Sequence, residues 1–190
     1  MFRKIFFQCM LLAVVLACVS LPPAEGCVGK VLHIGIIATP EEQLLAELIS
    51  QLITERTGTT VKITQYRESR QIYEAVRKGD VGLLIENPDA AMVLLGRQKE
   101  SNRKGELEVL RKEYRKTYNL VWLDSVPGSA YYTPVLSTDV LSQLPALPKL
   151  INKLPAALGE DGLQKLLKSV RGDDKSRKVA RDFLKAKKLI

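Results

Sequence analysis

Residues 30–37 form a nearly continuous, β-branched apolar run, the pattern of a central strand covered on both faces. Thr39-Pro40-Glu41-Glu42 follows, supplying a capping hydroxyl, a proline at the first helical position and a glutamate three residues after the cap. Leu44, Leu45, Leu48, Ile49, Leu52 and Ile53 recur at i, i+1, i+4, i+5, i+8 and i+9, one stripe of a helix that ends at Gly58. Residues 60–66 alternate as a strand, 69–78 read as a helix closed by Gly79, 81–85 read as a buried strand, and 89–95 open a further helix. This alternation predicts an α/β fold, a three-layer sandwich with a mainly parallel sheet and helices on both faces.

The second half is less regular. Residues 98–105 are a polar break, 106–117 a charged helix and 120–124 a fourth strand. Residues 126–137 hold two prolines, Gly128 and the pair Tyr131-Tyr132, a loop with room for one crossing strand. Residues 139–154 and 162–170 are helical, Pro145, Pro148 and Pro155 cutting the first region into short pieces. Residues 176–187 form a closing helix, so extra C-terminal helices follow the sheet.

The N-terminus has a different character. Arg3 and Lys4 precede an apolar run over residues 5–19 interrupted only by Gln8. Fifteen helical residues reach about 22 Å, short of the roughly 30 Å hydrocarbon layer. Positive charge before the run, and small residues and prolines after it, fit an export signal over residues 1–26. Two exits are open: cleavage before Cys27, or a lipoprotein-type leader ending at residue 17, with Cys18 acylated. The remaining 27–190 is expected to be one α/β domain.

Composition removes several classes. The chain has 190 residues, 46% apolar and 26% charged, with a formal net charge of +8, ordinary for a folded domain. Three Cys and one His are too few for a zinc ribbon, a disulfide framework or a multi-histidine metal centre. His33 sits in the apolar strand with no ligand at metal spacing, which favours a structural role. No G-x-S-x-G elbow or glycine-rich phosphate loop is present. No enzymatic activity, cofactor or metal is expected. The basic segments 97–116 and 171–188 read as solvated helix faces, with anionic lipid headgroups as the alternative and no nucleic acid expected.

Several phrases resemble substrate-binding proteins of ABC importers for glycine betaine and choline, which have the type 2 periplasmic-binding-protein fold. The family's opening G-S-K-N-F-T-E-Q meets Gly35-Ile36-Ile37-Ala38-Thr39-Pro40-Glu41-Glu42, with Glu47 at the next acidic position. Its stretch G-G-T, E-A-L, G-E-I-D and Y-P-E-Y meets Ser69, Glu74-Ala75-Val76, Gly79-Asp80-Val81 and Glu86. K-Y-G-L-V-W-L resembles Thr117-Tyr118-Asn119-Leu120-Val121-Trp122-Leu123, and V-A-x-x-F-L-K resembles Val179-Ala180-Arg181-Asp182-Phe183-Leu184-Lys185.

The resemblance implies a single lobe of that fold, because Trp122-Leu123 runs almost directly into Tyr131 and Leu136, where family members insert a second lobe. It also implies an altered site. Thr39 stands for the family's phenylalanine, and Ile37 and Ala38 for the lysine and asparagine before it. Leu84 and Asn87 replace two tyrosines, and Gly128-Ser129-Ala130 replaces F-N-N. A quaternary ammonium cannot donate hydrogen bonds and is held mainly by aromatic faces, so losing them removes the attraction.

In a parallel sheet a ligand site lies at the carboxyl ends of the strands. The candidates there are Thr39, Tyr66, Ser69, Arg70, Glu86, Asn87 and Tyr131. Thr39 and Ser69 are read as helix caps, and Glu86 as paired with an arginine. The expected function is non-catalytic solute binding in the bacterial envelope, periplasmic or lipid-anchored at the membrane. A transporter permease, an unidentified small solute and a second copy of the chain are the candidate partners. The alternative is a protein-docking module using the former inter-lobe face, with Tyr131, Tyr132, Leu136 and residues 144–150 as apolar contacts. Globomycin-sensitive processing tests the anchor: under the lipoprotein reading a Cys18→Ser variant stays unprocessed, and normal processing of that variant excludes Cys18.

Overall fold

The computed structural model describes residues 31–97, 102–127, 131–170 and 175–190. The leader with Cys18 and Cys27, and the Gly128-Ser129-Ala130 replacement, lie outside the described residues.

The first strand, β1 (Val31–Ile37), enters α1 (Pro40–Thr57) through the Thr39 cap, and α1 stops at Gly58, whose φ of 71° is left-handed. β2 (Thr60–Tyr66), α2 (Ser69–Lys78) and β3 (Leu83–Glu86) follow, then α3 (Pro88–Leu94) and α4 (Arg103–Tyr118). β4 (Leu120–Trp122) and β5 (Thr133–Ser137) complete a five-stranded sheet in the order β2-β1-β3-β5-β4. The expected crossing strand is therefore β5. It pairs antiparallel with both β3 and β4, while β1 is parallel to β2 and β3, so the sheet is mostly parallel. The prolines divide the C-terminal region into α5 (Thr138–Gln143), α6 (Leu147–Ile151) and α7 (Lys153–Leu158), followed by α8 (Gly162–Ser169) and α9 (Lys175–Ala186).

Strand alternation divides the interior into two cores. Leu32, Ile34 and Ile36 of β1 join Leu83, Ile85 and Leu136 on the face covered by α1 and α6–α9. Leu84, Leu120, Trp122 and Val135 face α2, α3 and α4 on the other side. Among the described helices, α1 is the most deeply enclosed: Leu44, Leu45, Leu48, Ile49, Leu52 and Ile53 are all fully buried. Each such side chain contributes roughly 1.5–3 kcal/mol of transfer free energy. Gln51 of α1 donates to the Arg177 carbonyl at 2.6 Å, fixing α9 over it.

Gly82 marks the tightest packing point of the sheet. Its N–H donates to the His33 carbonyl at 3.0 Å and its carbonyl accepts from Ser137 N–H at 2.9 Å. A Cβ there would overlap Val140 Cγ2 of α5 and lie 2.9 Å from Leu32 Cδ1. Gly82→Ala is expected to destabilise the fold by about 1–3 kcal/mol through overpacking, read as a lower denaturant midpoint with an unchanged m-value. An unchanged midpoint would show that α5 is not held at this point.

Candidate functional site

The carboxyl ends of β1, β2 and β3 lie at one rim of the sheet. The antiparallel course of β5 brings its first residue, Thr133, and the preceding Tyr131 and Tyr132 to the same rim. Thr39 is the α1 cap, its Oγ1 accepting from Glu42 N–H at 3.2 Å. The Glu42 carboxylate reaches past the cap and accepts from Ile37 N–H at 2.7 Å, while Thr39 N–H donates to the Ile37 carbonyl at 2.7 Å. The glutamate expected to close a capping box instead holds the last residue of β1.

Glu86 stands beside it at the end of β3, and both carboxylates are only 8% exposed. Glu86 was expected to pair with an arginine; instead Tyr73 of α2 donates to its Oε1 at 2.8 Å and the Asn87 N–H hydrogen-bonds it. The reason is geometric: Arg70 lies on the solvent side of α2, 85% exposed and bonded to Glu74 at 3.3 Å, whereas Tyr73 lies on the inner side. Tyr73 is also 2.7 Å from the Tyr114 hydroxyl, and with Tyr118 and Trp122 these rings form an edge-packed aromatic cluster. Burial raises both phenols above the ordinary tyrosine range, so they remain hydrogen-bond donors. The aromatic side chains of this face are thus spent on the core.

Burial pushes Glu42 and Glu86 each up to about 7, and the Glu42 charge adds to the shift at Glu86. Glu86 and Asn87 are adjacent, and the Asn87 Oδ1 accepts from Asp89 N–H at 2.9 Å and Ala90 N–H at 3.2 Å as the cap of α3.

Tyr131 sits at the rim with φ of 43° and is 41% exposed. The Arg103 guanidinium lies 4.8 Å from its ring centroid. Arg103 is itself fixed by Asp89 at 2.7 Å and by the buried Glu106 at 2.6 Å. One face of the exposed rim tyrosine therefore already holds a cation, supplied by the chain. Sequence reasoning missed Arg103, Tyr73 and Glu42. Arg103 falls in the polar break and nothing in its spacing points to Tyr131; the S/T-x-x-E signal did single out Glu42, but as a cap alone.

The other candidates do not join this constellation. Tyr66 ends β2 half-buried and packs on the α2 side. Ser69 is exposed and is the first residue of α2, not its cap; that position belongs to Glu68, which makes no side-chain capping bond. No hydrogen bond or ion pair among the described residues links Tyr66, Ser69 or Arg70 to Thr39 or Glu86. A separate open groove of about 940 Å³ runs from Thr39 and Gln43 along Gln65 to Lys168 and Ser176. Of the residues expected to provide a protein-docking face, Leu136 and Leu147 are buried in the core, which leaves Tyr131 as the large exposed side chain at the rim.

Comparison with known proteins completes the picture. The family model described as the substrate binding domain of ABC-type glycine betaine transport system matches residues 30–133. The carnitine transport binding protein OpuCC of Listeria monocytogenes serotype 1/2a (strain 10403S) is 23% identical over 154 residues, 77% of this chain and 50% of that protein. The chain spans about half the length of the curated relatives it matches. Among solved structures, a glycine betaine/carnitine/choline ABC transporter superposes with a TM-score of 0.75 at 14% identity, covering 85% of this chain and 99% of that one. Apo YehZ from Escherichia coli superposes with a TM-score of 0.73 at 14% identity, covering 84% and 99%. These structures establish the fold as that of periplasmic binding proteins.

The carboxylate pair predicts a pH dependence. Below about pH 4.5 folded and unfolded chains both hold the proton; between 4.5 and about 7 the folded state retains one that the unfolded state has released, so stability falls as pH rises. For Glu86 a rise from 4.5 to about 7 corresponds to on the order of 3 kcal/mol. Urea melts at pH 4.5 and pH 8 should show this loss in the natural chain and a flatter profile in Glu86→Gln; parallel profiles would show that Glu86 is not held in a proton-retaining site.

Proposed function

Because the chain belongs to the family of substrate-binding domains of ABC-type glycine betaine transport systems, we propose that it is an exported, non-catalytic solute-binding-like protein of the bacterial envelope that works beside a transporter permease. In this reading it keeps one lobe of the binding-protein architecture and has given up the quaternary-ammonium cage. The observation that carries the reading is the state of the rim. Thr39, Leu84 and Asn87 occupy positions that are aromatic in the family pattern. Leu84 is fully buried, and Tyr131 is faced by Arg103 at 4.8 Å.

The β4–β5 connection supports the single-lobe reading. Only residues 123–132 separate Trp122 from Thr133, and Val126 bridges to Tyr132 across it. A ligand at such a rim has one wall, whereas small-molecule sites commonly enclose most of the ligand surface. Low affinity, or a solute of different charge, follows from this geometry. Among the described residues no helix is long and apolar enough to cross a membrane.

Thermal melts test the function. A ligand at 100 times its Kd stabilises a protein by about 2.7 kcal/mol, readily seen as a higher Tm. Glycine betaine and choline at millimolar concentration are expected to leave Tm unchanged, while a panel of amino acids and small anions identifies a solute that raises it. Arg103→Ala, which uncovers the Tyr131 ring, should increase the response to choline. A shift with micromolar betaine in the natural chain would overturn the loss of the cage; a flat response to the whole panel would overturn solute binding.

A further inference from the structure

The charge of this protein is placed unevenly. Residues 160–190 hold ten Lys and Arg against five Asp and Glu, a net +5, whereas the 159 residues before them hold 19 against 16, a net +3. The excess lies on α8, α9 and the two lysines after α9. Ser176, Ala180 and Leu184 recur every four residues and are buried, turning one stripe of α9 inward onto α1. The opposite stripe carries Lys175, Lys178, Asp182 and Lys185, all exposed. Lys165 and Lys168 of α8, and Lys187 and Lys188, are exposed as well.

Local ion pairing does not neutralise this surface. Lys178 bonds Asp182 at 2.6 Å and Arg181 bonds Glu55 at 3.0 Å, but Lys165, Lys168, Lys175, Lys185, Lys187 and Lys188 form no ion pair among the described residues. The crowding is felt by Asp182, whose carboxyl is held below its usual range by the Lys178 hydrogen bond and by the charges of Lys178, Lys185 and Arg181.

We propose that the outer face of α8 and α9 docks this chain onto a membrane surface rich in anionic phospholipid headgroups. One observation favours lipid over an acidic protein partner. Protein interfaces are anchored by buried aromatic or aliphatic side chains in a complementary pocket, but the large exposed hydrophobics of the described chain are Val31, Val93, Leu94 and Tyr131, all on other elements. An anionic bilayer needs no such anchor: each Lys or Arg near the surface adds attraction, and the effect decays within a Debye length. The placement beside a membrane rests on the envelope reading above; the basic surface stands on the coordinates alone.

Co-sedimentation of the full chain with vesicles tests the inference. Vesicles of phosphatidylcholine alone are compared with vesicles in which about a third of the lipid is phosphatidylglycerol, at low salt and at about 0.5 M, where the Debye length has fallen to a few ångströms. The expected result is at least tenfold stronger partitioning to the anionic vesicles, abolished by salt. The leader carries Arg3 and Lys4 and can itself favour anionic vesicles, so the contribution of α9 is read from charge variants that all keep the leader. Lys175→Glu/Lys185→Glu/Lys188→Glu should lose most of the anionic preference, while Lys112→Glu/Lys116→Glu on α4 should retain it, with circular dichroism confirming that both remain folded. Equal partitioning to the two vesicle types, or equal loss in both variants, overturns the proposal, as does salt-sensitive capture by an acidic protein column without vesicle binding. The thermal melts read solute binding independently, so failure of one reading is distinguishable from failure of the other.

Discussion

A parallel β-α-β-α-β arrangement leaves one face of its sheet half covered, and the rest of this structure depends on how that face is closed. Only α1 among the crossover helices lies on the face formed by Leu32, Ile34, Ile36, Leu83 and Ile85. The area beside it, over Leu83, Leu123 and Leu136, is sealed by Leu147, Ile151, Leu154 and Leu158 from α6 and α7. α9 then lies across the back of α1, fixed by the Gln51 amide on the Arg177 carbonyl. A helix with buried residues on both its sheet side and its outer side cannot be stable without both coverings. The C-terminal helices are therefore part of the core.

Closing the sheet also determines the rim. Because β5 runs against β3, its N-terminal end brings Tyr131 and Tyr132 to the carboxyl ends of β1 and β3, where a purely parallel strand would have brought its C-terminal residues. Glu42 and Glu86 are enclosed there close enough for their charges to interact. Burial costs a lone carboxylate more than its hydrogen bonds return, so the pair holds protons to about neutral pH. This is a rim organised by packing and by the burial of two carboxylates.

Placement of charge follows a different logic from placement of carboxylates. The two glutamates at the rim are buried and hold protons above the usual carboxylate range, while the lysines of α8 and α9 are exposed to water. The family model matches residues 30–133; the basic surface lies on the helices after that stretch, although Val179–Lys185 of α9 still resembles the family's ending.

Local pattern alone determined the elements of the first half: the Thr39-Pro40 start of α1, its end at Gly58, the helix closed by Gly79 and the buried strands around them. Each depends on residues within one or two turns of each other, so spacing and capping chemistry suffice. The family resemblance likewise rested on contiguous phrases. Tertiary structure decided the antiparallel course of β5, the partner of Glu86, the demotion of Ser69 from cap to first helical residue, and the seating of Arg103 on Tyr131. Glu86 meets Tyr73 across 13 positions of chain, and Tyr73 meets Tyr114 across 41. No periodicity links residues so far apart; they are neighbours only because the sheet order β2-β1-β3-β5-β4 and the helices packed on it bring them together.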